Sequence, residues 1–216
     1  MGSVIPKKGM KQRFSGLFRR SVPEAFFFIQ YYRGMNKLGN SYEVSQRLFS
    51  ELLESSRNER CLQIGVKEHH GAKFGPNWIS VDLYDTREFI DYQYDIHDLK
   101  FEDNSFDVAV CLSILEHVPY PEKAIAELHR VLKPGGRIWV QLPFAYPYHE
   151  GPQDYWRVSP QGLRVWMEDF DEISCGSFLF NRTALVASTY FYGTKKTAVD
   201  PKVGKQTNGS VPIQEA

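Results

Sequence analysis

The chain has 216 residues, enough for one α/β domain with its own core plus short extensions, and its 42% hydrophobic and 14% aromatic content excludes a disordered chain. Twenty-six Lys and Arg balance twenty-six Asp and Glu, so no global field argues for nucleic acid or a membrane surface. Three cysteines, Cys61, Cys111 and Cys175, lie far apart with no Cys-x-x-Cys pair, which excludes a disulfide framework or cysteine-based zinc site and fits a reduced, cytoplasmic setting.

The overall neutrality hides an asymmetry. Residues 1–40 carry eight Lys and Arg against Glu24 alone, a net +7, which leaves −7 for the rest and marks the first forty as a separate arm. The longest apolar stretch there, Ala25–Ile29, is too short for a signal-peptide core or a membrane span. Pro6 stands where a myristoylation signal has Ser or Thr. The aromatic cluster Phe26–Tyr32 has two readings: a segment docked on the domain, or an anchor giving peripheral membrane contact through residues 1–32.

Beyond the arm, Asn40 with Glu43 predicts a helix start, and Val44, Leu48, Phe49, Leu52 and Leu53 recur at helical spacing. The polar run Glu54–Arg60 ends that helix. Strands are predicted at Cys61–Gly65, Asn77–Asp82 and Tyr92–Asp95, and at the charge-poor Phe106–Leu112, which has the make-up of a central parallel strand. Pro121 opens a helix whose buried stripe is Ala124, Ile125, Leu128, Val131 and Leu132, stopped by Lys133–Gly136. Arg137–Leu142 is the next strand. A long aromatic loop covers 143–157, Ser159 caps a helix through Trp166, and Ile173–Phe180 and Leu185–Tyr192 close the sheet. From Thr194 the tail is polar and predicted to be disordered. The expected organisation is an arm at 1–40, one domain at 41–193 and a tail at 194–216.

Strands and helices alternating at this spacing predict a single α/β domain, Rossmann-like and doubly wound around a seven-stranded, mostly parallel sheet. Such sheets bind ligands at the carboxyl ends of their strands, so the candidate site residues follow Gly65, Val81, Tyr94, Leu112 and Leu142. Asp82, seventeen positions after Gly65, is placed to accept hydrogen bonds from a ribose diol.

The run Asp95-Ile-His-Asp-Leu-Lys-Phe-Glu-Asp-Asn-Ser-Phe-Asp107, followed by Val108–Leu112, Leu115-Glu-His-Val118, Pro121-Glu-Lys and Glu127-Leu-His-Arg-Val-Leu-Lys-Pro-Gly-Gly136, closely resembles the class I S-adenosylmethionine-dependent methyltransferases of the type 11-like kind. Weaker resemblance runs from about residue 60 to 180. It implies S-adenosyl-L-methionine as cofactor, held by Gly65, Asp82 and Leu83. Asp95 would accept from the adenine amino group beside the backbone of Ile96, and carbonyls near Cys111 and Leu112 would take the methionine ammonium. Two departures stand out: Gln63 occupies the place of the family's acid, and Gly65 is followed by Val66-Lys67 instead of a second glycine.

Short loops here are similar to a subset that often acts in glycan pathways, as is the spelling His149-Glu-x-Pro-x-Asp-Tyr-Trp-Arg157. That implies a small-molecule or glycan acceptor, with Tyr146, Asp154, Tyr155, Trp156 and Arg157 lining its pocket. The other reading is a packed surface loop in which Asp154 and Arg157 pair with each other. O-methylation needs a base, and His149, then His117, are the candidates. Ubiquinone-pathway O-methyltransferases bind a divalent metal through Glu-x-x-Glu-His, but Ser113 replaces the first Glu here, so no metal is implied. His69-His70 reads as solvent-exposed, and His129 lies on a helix away from the strand ends.

A non-catalytic binding or scaffold protein of the same fold is the competing reading. A nicotinamide oxidoreductase lacks its Gly-x-Gly-x-x-Gly here. The acidic core argues against nucleic acid.

Overall fold

The computed structural model describes residues 41–65, 73–181 and 186–197, together with residues 29, 30, 33 and 34. The rest of the arm with its aromatic cluster, Asn40, Val66, Lys67, His69, His70 and the tail beyond 197 lie outside the described residues. Among the described residues no helix is long and apolar enough to cross a membrane.

Among the described residues six strands form one sheet: β1 (Cys61–Ile64), β2 (Trp78–Val81), β3 (Phe106–Leu112), β4 (Leu132–Ala145), β5 (Phe170–Asn181) and β6 (Val186–Lys195), in the order β2-β1-β3-β4-β6-β5. The first four are parallel, whereas β6 runs antiparallel to both β4 and β5. Helices α1 (Tyr42–Ser55), α2 (Pro121–Val131) and α3 (Pro160–Trp166) and a short 3-10 helix (Leu115–His117) complete the domain.

The strands are apolar on both faces because both faces are covered. Alternate residues sort cleanly. Leu62, Ile64, Ala109, Cys111, Ile138, Val140 and Leu142 pack with Ala124, Ile125 and Leu128 of α2 and Leu163 of α3. Cys61, Val108, Val110 and Trp139 point the other way, toward Leu52 of α1 and the rings of Phe178 and Tyr190. In α1 the docked face is Leu48, Phe49, Leu52 and Leu53, while Val44 is exposed.

Several expectations are corrected. The sheet has six strands among the described residues rather than seven, and it is mixed. The predicted strand Tyr92–Asp95 shrinks to one parallel bridge, Val81 to Tyr92. The physical reason is side-chain competition with the ladder. The Asp91 carboxylate accepts from the backbone N–H and hydroxyl of Ser80, and Asp95 folds its carboxylate back onto the N–H of His97. Strand β4 starts directly after α2, at Leu132, so Lys133–Gly136 belongs to it. Strand β6 runs past the expected border at 193 to Lys195, whose ammonium donates to Asn104 Oδ1 and the Leu132 carbonyl. Ser41, not Asn40, precedes α1, and its N–H donates to Ser177 O at 3.0 Å. Ser159 caps α3 as expected, accepting from Gly162 N–H.

Trp139 is the largest fully buried side chain, stacked on Tyr190 with centroids 5.1 Å apart at 11°. Its indole N–H has no acceptor among the described residues. Trp139→Ala should therefore lower unfolding stability by about 3–5 kcal/mol. Trp139→Phe, which keeps the ring stack and removes that unsatisfied donor, should cost less than about 1.5 kcal/mol. Urea titrations check both; equal losses would contradict this packing account.

Candidate active site

The carboxyl ends of β1, β2 and β3 open into a cleft of about 680 Å³, within the range of small-molecule sites. Its floor begins at Gly65, which turns with φ +73° directly after β1 while its N–H donates to Val81 O. A Cβ here would come within 2.4 Å of Ile114 Cδ1 and 3.6 Å of the Leu112 carbonyl oxygen. Only glycine takes this backbone without strain and lets the Ile114 side chain pack this close. Gln63, standing where an acid was expected, is buried and ties the loop ends together: its amide donates to Gly65 O and its oxygen accepts from Phe74 N–H.

One wall is Asp82, Leu83 and Tyr84. Asp82 Oδ1 accepts from the N–H groups of Tyr84 and Asp85, both at 2.9 Å, and so shapes the turn. Its Oδ2 takes no hydrogen bond among the described residues. The next wall is Tyr94, Asp95, Ile96 and His97. Burial raises the pKa of Asp95, but the backbone N–H and ring nitrogen of His97, at 2.9 and 2.7 Å, outweigh it and hold the carboxyl below its usual range. His97 Nε2 is buried with no partner among the described residues, a polar atom available to a ligand.

This wall is held from behind. In α2, Glu127 accepts from Leu99 N–H and clasps Arg130, whose guanidinium also donates to the carbonyls of Leu99 and Phe101 and to Asp103. The charged pair inside the helix motif is thus a brace for the segment carrying Asp95 and Ile96.

The far end of the cleft is built from the 3-10 helix and the loop after β4. Tyr155 and Trp156 N–H groups donate to the Glu116 carbonyl, and Trp156 Nε1 donates to Val118 O, so the loop is strapped over that helix. Asp154, with its side chain almost fully buried, accepts both guanidinium nitrogens of Arg157 at 2.6 Å and the His149 N–H at 2.8 Å. These bonds keep its carboxyl far below the usual carboxylate range. Arg157 also donates to the carbonyls of Tyr146 and Pro147. His117 Nδ1 lies 2.5 Å from Gln153 O, and its ring meets that of His149 edge-on at 4.9 Å. Burial pushes the His117 pKa down, favouring the neutral ring. Burial also raises all three thiols, Cys61 and Cys175 to about 11 and Cys111 further, so none supplies a thiolate.

Of the expected cofactor residues, Gly65, Asp82, Leu83, Asp95 and Ile96 line the cleft; Cys111 and Leu112 do not, although the Leu112 carbonyl faces the Gly65 turn. Of the expected acceptor and base residues, His117 and Tyr155 line it, while Tyr146, His149, Asp154, Trp156 and Arg157 lie outside it. Asp154 and Arg157 pair with each other, as the packed-loop reading had it. His129 sits edge-on to Phe170, away from the cleft. The sequence reading missed His97, Ile114 and Tyr120, which line the cleft: His97 stands inside the stretch Asp95–Asp107, and Ile114 and Tyr120 directly precede the stretches at Leu115 and Pro121.

Residues 60–140 match the family described as a methyltransferase domain. A ubiquinone/menaquinone biosynthesis C-methyltransferase of Brucella canis is 44% identical over 59 residues, 27% of this chain and 21% of that protein. The chain spans about a fifth of the length of the curated relatives it matches. Among solved structures, the Burkholderia thailandensis 1,6-didemethyltoxoflavin-N1-methyltransferase, with bound 1,6-didemethyltoxoflavin and S-adenosylhomocysteine, shares the fold at TM-score 0.56 and 15% identity, covering 90% of this chain and 94% of that one. A methyltransferase of Bacillus halodurans does so at TM-score 0.54 and 15% identity, over 68% and 98%. Residues 60–140 thus match a methyltransferase domain, whose cofactor is S-adenosylmethionine, and the chain shares the α/β Rossmann-like fold of these solved methyltransferases.

Arg130→Ala should reduce unfolding stability by about 2–3 kcal/mol, since several charge-assisted bonds are lost. Because the released segment carries Asp95 and Ile96, affinity for S-adenosylmethionine should fall as well. Urea titration and calorimetry check this; a variant that melts early yet binds normally would show that the brace does not position the cleft.

Proposed function

We propose that the whole protein is an S-adenosylmethionine-dependent methyltransferase acting on a small-molecule or glycan-type acceptor, with a hydroxyl oxygen receiving the methyl. The observation that carries the reading is one cleft, floored by Gly65, in which Asp82 and Asp95 stand at the ends of successive chain segments beside strand β1. The residues fit the cofactor: among the described residues Asp82 Oδ2 is without a hydrogen bond and can take a ribose hydroxyl, and His97 Nε2 is a buried atom with no partner.

When bound, the cofactor supplies a methyl already activated on a sulfonium, so the protein contributes mainly alignment, worth several kcal/mol of barrier. Asp82 and Asp95 orient the nucleoside through its hydroxyl and amino groups. Ile64, Val81, Ile96 and Ile114 exclude water. A hydroxyl acceptor needs a positioned base. With its Nδ1–H donated to Gln153 O, His117 offers Nε2; His149, packed edge-on against it, is the other candidate. Asp154 and Arg157 position His149 through its backbone. The exposed rings of Tyr146, Tyr148, Tyr155 and Trp156 on this loop support a flat or sugar-like acceptor. Peripheral membrane contact through residues 1–32, in the cytoplasm, is part of the same proposal, supported by the basic and aromatic make-up of that arm.

The non-catalytic alternative draws on Gln63, whose amide is spent on the loop ends. Cofactor calorimetry separates the two. Asp82→Ala should weaken S-adenosylmethionine binding by about 1.5–3 kcal/mol. Asp82→Asn retains an amide oxygen for the Tyr84 and Asp85 N–H groups but loses the charged acceptor, so it should weaken binding with little change in melting. Wild-type protein that binds no cofactor would favour the scaffold reading, and an Asp82→Ala variant with unchanged affinity would remove Asp82 from the site.

A further inference from the structure

Three ligand-bearing side chains meet beside the cleft, of which His117 lines it. A carboxylate oxygen of Glu116 and one ring nitrogen each of His117 and His149 all lie within 4.8 Å of one another. Glu116 and His117 come from the 3-10 helix, and His149 from the loop after β4. Glu116 is fully buried, with its Oε1 3.8 Å from His117 Nε2.

The second nitrogen of each ring is already spoken for by oxygen. His117 Nδ1 faces the Gln153 carbonyl at 2.5 Å; His149 Nδ1 faces the Pro147 carbonyl at 3.3 Å and Asp154 Oδ2 at 3.4 Å. Histidines that bind metals almost always donate their other ring N–H to a carbonyl or carboxylate, which fixes the tautomer and aims the free nitrogen at the ion. Beside them, Asp154 and Arg157 pair with each other, the guanidinium lying 3.4 Å from His149 Nδ1, and the carboxyl of Glu116 is the cluster's own acid group. Gly151 keeps the space beside His117 open: a Cβ there would lie 3.3 Å from Nε2.

We propose that Glu116, His117 and His149 form a binding site for one divalent transition-metal ion of the zinc class, open on the side where His117 lines the cleft. Two imidazoles with one carboxylate suit zinc and its transition-metal neighbours and not magnesium or calcium, which take oxygen ligands. Three protein ligands leave a coordination position for an oxygen-bearing acceptor or water. His149, whose side chain is about a third exposed, has room to swing inward to coordination distance. The set differs from Glu-x-x-Glu-His, since position 113 is Ser and the third ligand arrives from another element. The site stands on these side chains whether or not the cofactor binds; only its use, recognising the acceptor's oxygen, rests on the methyl-transfer reading, and with the ion held neither ring is free to act as the base named there.

The test uses the full chain stripped with a chelator, titrated with Zn²⁺ by calorimetry and with Co²⁺ by visible absorption. One ion per chain is expected, with cobalt bands of a low-coordinate nitrogen and oxygen site. His149→Ala and His117→Ala should each weaken binding by at least about 10–100-fold, and His129→Ala should leave it unchanged. His149 is partly exposed, so that variant decides the matter if His117→Ala fails to fold. Absence of uptake, or uptake that survives His149→Ala because an ion sits on His69 and His70, overturns the proposal. A cofactor titration without metal reads the other claim separately. Zinc bound without cofactor affinity would defeat the methyl-transfer reading and keep this site; cofactor bound without zinc would do the reverse.

Discussion

At Gly65 the chain leaves β1 with a positive φ, and the side chain of Ile114 occupies the space where any Cβ would have been. This close approach joins two segments that are distant in sequence, the end of the first strand and the start of the 3-10 helix after the third. Everything above it depends on that contact. Asp82 reaches the cleft because β2 pairs in register with β1, Val81 opposite Ile64. His117 reaches it because Ile114 sets the entry of the 3-10 helix, which in turn receives the loop carrying Tyr155. A larger residue at 65 would strain its own backbone and push away both walls.

The parts of the fold that could be read from the sequence are those where one pattern has one solution. Phe106–Leu112 is a nearly unbroken apolar run and is the central parallel strand. The stripe from Ala124 to Val131 is the buried face of α2. The parts that could not be read depend on side chains competing with the backbone. Tyr92–Asp95 has strand-like residues, yet Asp91 and Asp95 take up neighbouring N–H groups and leave a single bridge. Leu132 was assigned to a helix stripe because hydrophobic spacing continues through it; the backbone becomes extended at that residue.

The site divides along the same line. Gly65, Asp82, Asp95 and Ile96 follow strand ends or a motif at fixed offsets, so their arrival in one cleft was legible. The role of Arg130 was not. Its partners Leu99, Phe101 and Asp103 are mostly backbone carbonyls, which no residue pattern advertises. The meeting of His117 with His149 was equally hidden, since it depends on Asp154 and Arg157 folding the loop back over the 3-10 helix. In that loop the charged pair turned out to be the frame and the aromatic rings the exposed surface. The mixed sheet has a related cause. The strands β5 and β6 form an antiparallel pair against β4, so the last β-hairpin closes the edge without adding a strand-end position to the cleft.

The account's central claim is that this cleft holds a nucleoside-bearing cofactor by its strand ends. A crystal structure of the full chain grown with S-adenosylhomocysteine tests it most directly. The account predicts the ribose hydroxyls against Asp82 Oδ2, the adenine beside Asp95 and Ile96, and the homocysteine over Gly65 toward the Leu112 carbonyl. A ligand bound elsewhere, or crystals in which saturating ligand leaves this cleft filled only by water, would contradict it.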